Sequence, residues 1–195
     1  MITVIGNGES RKTININQID GLRIGCNAIY LHDNVDMICA VDSFWRDKIV
    51  KESMIPLISR IHNTSFQTTL EIYKCGKWIN TDCPYRGYCS GITALDYISN
   101  EVKGEEIYLI GFDFNYNGEK VNHIYKGTPN HPNADRPSQN LSDIFLKQCI
   151  ETVKRYPKNK YFWVNDSDFL IKVRGLEKVS IEEYKKRATK GTVQL

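Results

Sequence analysis

The chain of 195 residues has no apolar run near the ~20 residues that a membrane-crossing helix needs, so no membrane span is expected. It has no Cys-x-x-Cys pair. Its six cysteines, Cys26, Cys39, Cys75, Cys83, Cys89 and Cys149, are scattered, and paired ligands at zinc spacing are missing. No metal is therefore expected. Cys39 and Cys149 stand among apolar neighbours and read as small core residues. No Gly-Lys-Ser/Thr follows a glycine-rich turn, which excludes a P-loop. There is no internal repeat and no low-complexity stretch. Charge of one sign is also lacking: 26 Lys and Arg against 23 Asp and Glu leave a formal net charge of +3. That is too mild for a dedicated nucleic-acid binder, yet it permits an anionic partner. The start, Met1-Ile2-Thr3-Val4-Ile5-Gly6, lacks a basic n-region and a long apolar h-region. It reads as a first core strand, and with scattered thiols a cytoplasmic protein is expected.

What is present suits one globular domain, with 41% hydrophobic and 25% charged residues. Short apolar runs bounded by Gly, Asn or Asp occur at Ile2–Ile5, Leu22–Ile24, Met37–Val41, Leu70–Tyr73, Ile107–Ile110 and Tyr161–Val164. Continuous runs of this kind predict strands buried on both faces. Helical patterns lie between them. Ser43–Lys51 opens with Ser43 as N-cap. Ile92, Leu95, Ile98 and Val102 follow Ser90 as cap. Leu141, Ile144, Phe145, Cys149, Ile150 and Val153 form a longer stripe, and Ser180-Ile181-Glu182-Glu183 is a capping box. Strands alternating with helices predict an α/β fold, a mostly parallel sheet with helices on both faces. The expected division is an α/β domain over 1–165, with a functional loop at 111–137, and a basic tail with a short helix over 166–195. Basic residues gather at Lys154, Arg155, Lys158 and Lys160, and again at Lys185, Lys186, Arg187 and Lys190.

The first turn carries the clearest chemistry. A strand entering Gly6-Asn7-Gly8-Glu9-Ser10 lets backbone N–H groups approach a phosphate, and a following helix N-terminus is expected to add positive charge. The pattern is not a full dinucleotide fingerprint, because Arg11 stands where the third glycine would be. Gly25-Cys26-Asn27, Val41-Asp42-Ser43, Cys89-Ser90-Gly91 and Gly111-Phe112-Asp113-Phe114 also fall at strand ends or helix starts. Together they would line one edge of the sheet, where ligands bind in open α/β folds.

In this order, Gly6-Asn7-Gly8-Glu9-Ser10, Cys26-Asn27, Ser90-Gly91 and Gly111-Phe112-Asp113-Phe114-Asn115-Tyr116-Asn117-Gly118 resemble the motifs of bacterial sialyltransferase-like glycosyltransferases, family 42. The resemblance spans about the first 155 residues in scattered blocks. It extends to short tailed-phage proteins thought to glycosylate hydroxymethylcytosine in DNA, which would place the chain in the host cytoplasm. It implies a Rossmann-like fold of the GT-A or sialyltransferase type and a nucleotide-sugar donor, CMP- or UDP-linked, with no essential cofactor. Gly6, Asn7, Gly8 and Ser10 would hold the donor phosphate and ribose, and Asn27 the ribose or sugar. Ser90 and Gly91 would present donors to sugar or phosphate. Gly111, Asp113 and Phe114 would line the base pocket, with Asn115 and Tyr116 beside it. The family's two loop tyrosines fall at Asn115, next to Tyr116, and near Val121, close to Tyr125. Pro137 stands at the family's catalytic histidine.

The chemistry implied is an inverting sugar transfer, in which a general base takes the acceptor hydroxyl proton. His131, Asp135 and Asp42 are the candidate bases; Asp42 reads equally well as a helix cap. Asp166-Ser167-Asp168 resembles a metal–nucleotide motif but is better read as an Asx turn. Tyr85-Arg86-Gly87-Tyr88 and Trp45 offer stacking surfaces or core packing. A duplex DNA with modified cytosine is the expected acceptor, facing the basic C-terminal third. A surface glycan acceptor, a pterin pyrophosphokinase activity and a non-catalytic nucleotide-binding role stay open.

Overall fold

The computed structural model describes residues 1–60, 69–114, 123–125, 128–129 and 139–189, the last segment with backbone alone over 139–142. Among them are nine strands: β1 (Ile2–Ile5), β2 (Leu22–Cys26), β3 (Met37–Cys39), β4 (Leu57–Arg60), β5 (Thr69–Lys74), β6 (Lys77–Pro84), β7 (Glu106–Ile110), β8 (Lys160–Val164) and β9 (Leu176–Val179). Four α-helices accompany them: α1 (Ser43–Glu52), α2 (Ser90–Glu101), α3 (Gln139–Arg155) and α4 (Ile181–Ala188). The strands make one sheet in the order β6-β5-β4-β3-β2-β1-β7-β8-β9. All neighbours are parallel except β4–β5 and β5–β6. The expected α/β class with a mostly parallel sheet holds.

The apolar runs work because both faces are covered. Ile2 and Val4 of β1, Ile107 and Leu109 of β7, and Tyr161 and Trp163 of β8 pack with Ile92, Leu95 and Ile98 of α2 and Cys149 and Val153 of α3. Their alternates Ile5, Tyr108, Ile110, Phe162 and Val164 pack with Trp45 and Ile49 of α1 and Tyr184 of α4. Period-two alternation sends successive residues to opposite faces, so a strand buried on both needs an unbroken apolar run. The chain leaves β1 towards β2, β3 and β4, then returns to the other flank of β1 as β7. The crossing point therefore lies at the carboxyl ends of β1 and β7.

Several local expectations are corrected. The turn after β1 leads into a five-residue 3₁₀ segment, Glu9–Thr13, not an α-helix. Its successor Asn15 accepts from the Asn17 N–H through its own side chain, a local bond that competes with helix propagation. Asp42, not Ser43, occupies the N-cap of α1, without a side-chain cap bond. Cys89, not Ser90, occupies the N-cap of α2. Ser180 does cap α4, accepting from the Glu183 N–H. The segment after residue 165 is part of the sheet: β9 pairs with β8, and the fully buried Tyr184 shares a hydrogen bond of 3.0 Å with Thr3 in β1.

The topology also separates the basic stretches from the carboxyl edge. Lys154 and Arg155 end α3, and Lys158 and Lys160 lead into the start of β8. The end of α4, with Lys185, Lys186 and Arg187, reaches the Asp20 N–H, which donates to Ala188 O just before β2 begins. Both stretches therefore lie at the amino edge of the parallel strands. Lys190 is outside the described residues.

Candidate functional site

Residues from five parts of the sequence meet at the carboxyl edge. The Gly6 N–H donates to Ile110 O and the Gly8 N–H to Gly111 O, both at 2.8 Å, so the two turns after β1 and β7 are laced together. This approach requires glycine. A Cβ on Gly6 would lie 2.4 Å from Gly111 O, and one on Gly8 would lie 2.6 Å from the Asp113 carboxylate. Gly111 itself has φ +67°, a conformation that side chains rarely adopt.

Asp113 ties three strand ends. Its Oδ2 accepts from the Ser10 N–H at 2.9 Å, and its Oδ1 from Asn165 Nδ2 at 3.2 Å, just beyond β8. Burial pushes the Asp113 carboxyl above the ordinary carboxylate range, against the opposing pull of the Ser10 bonds. On the other flank, Asn27 has φ +52° immediately after β2. Its Oδ1 accepts from Ser90 Oγ at 3.0 Å, and Ser90 Oγ accepts from the Val41 N–H at 3.2 Å. The Ser90 hydroxyl thus links the ends of β2 and β3 to the first turn of α2. Gly91 follows it, with the Phe112 ring 3.4 Å from where its Cβ would be.

The expected site residues therefore divide. Gly6, Asn7, Gly8, Ser10, Asn27, Ser90, Gly91, Gly111 and Asp113 are brought together at one edge. Phe114 is also there but is buried against Phe112 and Trp163, which makes it a core side chain. Asp42 lies exposed at the same edge, at the entry to α1. Asn115, Tyr116, Asn117, Gly118, Val121, His131, Asp135 and Pro137 lie outside the described residues. Of the loop over 111–137, the segment His123–Tyr125 crosses the first turn: the Ile124 N–H donates to Asn7 O at 2.7 Å.

Other expectations resolve as structure. Asp166 caps α4, accepting from the Ile181 N–H, while the turn bond to the Ser167 N–H comes from Asn165. Arg86 and Arg155 both bind Asp96, which is 2% exposed, at 3.2 and 2.6 Å. Tyr88 is buried and joins the same network through Arg155 and Glu151. Trp45 is buried too. The exposed aromatic at this edge is its neighbour Phe44, 64% exposed and edge-on to Trp45, which the helical pattern alone did not single out. Arg60, at the end of β4, lies over the Tyr85 ring 5.0 Å from its centroid.

Arg11 is the second residue that sequence reasoning passed over. It appears in the sequence only as a missing glycine, yet it is buried beside Gly111 and bonds to Tyr125. Its signal was its type: a charged residue one position beyond a phosphate-type turn.

No family model matches the chain, and no solved structure matches it. It is 27% identical over 135 residues to a protein named exotoxin type G from Streptococcus pyogenes serotype M1, covering 67% of this chain. It is likewise 27% identical over 136 residues to the exotoxin type G of a serotype M3 strain. The chain spans 57% of the length of these curated relatives.

Proposed function

We propose that this chain is a glycosyltransferase. It takes a sugar from a CMP- or UDP-linked donor and passes it, with inversion and without an essential metal, to the hydroxymethyl group of modified cytosine in DNA. The observation that carries the reading is the convergence of Gly6–Gly8, Asn27, Ser90 and Gly111–Asp113 at the carboxyl edge where the strand order reverses. In open α/β sheets this crevice is the usual ligand site. The finer fold reading, Rossmann-like and of sialyltransferase type, belongs to the same proposal. Its support is the order β3-β2-β1-β7-β8 within the sheet.

In this reading the acceptor hydroxyl attacks the anomeric carbon, and a base removes its proton as the nucleotide phosphate leaves. Asp42 is the exposed carboxylate at the right edge; His131 and Asp135 are the loop candidates. An extruded base needs an aromatic or guanidinium face to stack on. Phe44 and the Arg60–Tyr85 pair offer both beside Asp42. They replace the basic C-terminal third as the acceptor-facing surface, because those lysines and arginines lie at the opposite edge.

The test is to incubate the protein with CMP- and UDP-sugars and hydroxymethylcytosine DNA, with and without EDTA, and to identify nucleosides by mass spectrometry. A cytidine adduct one sugar heavier, formed equally in EDTA, is the expected result. Transfer to a glycan but not to DNA would move the acceptor, and no donor turnover at all would overturn the reading. Single Ala variants of Asp42, His131 and Asp135 identify the base; wild-type turnover in all three removes the assignment.

A further inference from the structure

The Arg11 side chain is 2% exposed. Its Nη2 donates to Tyr125 OH at 2.9 Å. Its Nη1 lies 3.9 Å from Asp33 Oδ2, within ion-pair range but too far for a hydrogen bond. Neither Nη1 nor Nε has a hydrogen-bond partner. A buried donor without an acceptor costs about 1–3 kcal/mol, and more when it is charged. A further buried atom in the same turn, Asn7 Oδ1, also has none. These unsatisfied groups lie together where the β1 and β7 turns meet. Arginine only donates, so the missing partner at its nitrogens is an acceptor oxygen, best an anionic one.

A second observation points the same way. Strand-to-helix turns hold phosphate partly through the positive end of the helix that follows. Here that helix is absent. The five-residue 3₁₀ segment in its place opens with Glu9, whose charge has the wrong sign for the task. Lys12 is exposed and paired with Glu9 at 2.9 Å. Arg11 is the cation of this turn that is both buried and left with unpaired donors.

We propose that Arg11 is the phosphate-binding cation of this site, with Nε and Nη1 donating to oxygens of the donor's phosphate. The side chain at the third-glycine position thus supplies the charge that a helix N-terminus supplies elsewhere. The proposal rests on the nucleotide-sugar reading for the identity of the phosphate, but not for its existence. Tyr125, held by Nη2, sets the orientation of the guanidinium plane.

Titration calorimetry with cytidine, uridine, CMP, UDP and inorganic pyrophosphate tests it on the wild type, Arg11→Gln and Arg11→Lys. Wild type is expected to bind the phosphorylated ligands at least about tenfold more tightly than the nucleosides, the scale of one charge-assisted contact. Arg11→Gln is expected to lose that increment and keep its nucleoside affinity. Arg11→Lys, which keeps the charge but not the fork, is expected to recover part of it, and it serves alone if the Gln variant does not fold. Pyrophosphate bound by wild type and lost in Arg11→Gln, with no nucleotide preference, would sustain the phosphate role while removing the nucleotide-sugar reading. Nucleotides or pyrophosphate bound equally by all three proteins would overturn the role of Arg11. So would nucleoside and nucleotide affinities falling together, or no phosphate bound by wild type.

Discussion

Replacing Asp113 separates its bonds to the Ser10 N–H and to Asn165 from its charge. Asp113→Ala removes the acceptor of both the Ser10 N–H and Asn165 Nδ2, bonds of 2.9 and 3.2 Å. Each partly buried donor left without an acceptor costs about 1–1.5 kcal/mol, so the loss is about 2–3 kcal/mol. At this chain length that lowers Tm by roughly 4–12 °C. Asp113→Asn retains one acceptor oxygen, enough for Ser10, but turns an NH₂ towards Asn165 Nδ2. Asn165 cannot flip in response, because its Oδ1 already accepts from the Ser167 N–H at 2.8 Å. One bond is lost whichever way the amides turn, at about 1 kcal/mol and roughly 2–4 °C. The pH dependence gives the decisive measurement. Burial raises the Asp113 carboxyl in the folded state, so the folded protein holds the proton more tightly than the unfolded chain. The stability from this group is fully present below the unfolded value of about 3.9 and is lost as pH rises through the raised folded value. Asp113→Asn does not titrate. Urea unfolding of both proteins from pH 4 to 8 should therefore show the wild-type advantage shrinking as pH rises. An advantage that grows with pH would mean that the hydrogen bonds outweigh burial, and equal loss in the Asn and Ala variants would refute the bond count.

Gly8→Ala, whose Cβ would sit 2.6 Å from the Asp113 carboxylate, should cost about 1–3 kcal/mol in urea unfolding and weaken nucleotide binding. Gly91→Ala, with its nearest neighbour at 3.4 Å and its N–H retained, should leave both within error. Arg155→Met should destabilise by about 2–4 kcal/mol, because the buried Asp96 keeps only one cation, Arg86. Burial already holds the Asp96 carboxyl above its usual range, and losing Arg155 raises it further, so the loss should be larger at pH 7 than at pH 5. A thiol reagent should label Cys75 rapidly in the native protein, a phase that Cys75→Ser removes. Burial that pushes Cys83 and Cys149 up to about 12 should keep both unlabelled until unfolding.

Three of the strands that were legible share one property. β1, β7 and β8 are buried on both faces, and such a strand must be an unbroken apolar run. β4 and β6 were not foreseen: Leu57–Arg60 is buried but has only two apolar residues in a row, and Lys77–Pro84 is an edge strand with mostly exposed side chains and carries no apolar run. β9 was hidden for a similar reason: Leu176 and Val179 are its only apolar residues, and the exposed Glu177 lies between them. All four helices were anticipated from apolar stripes and polar starts. Their caps fell one residue early in α1 and α2, and in α2 the side chain that could cap was needed elsewhere. It is Ser90, its hydroxyl being spent on Asn27 and the Val41 N–H.

By itself the sequence determined the strand-and-helix alternation and the glycine turns at the strand ends, since both depend on local burial and backbone freedom. Tertiary structure decided what those turns hold. Asp113 became a tie between three strand ends, Asp166 a helix cap, and the basic stretches a feature of the far edge. Arg11 changed most, from a departure in a motif to a buried cation with unpaired donors. The physical reason is common to all of them. Hydrogen-bond partners and electrostatic surroundings come from residues far apart in the chain, 103 positions between Ser10 and Asp113 and 114 between Arg11 and Tyr125, and no local pattern encodes them.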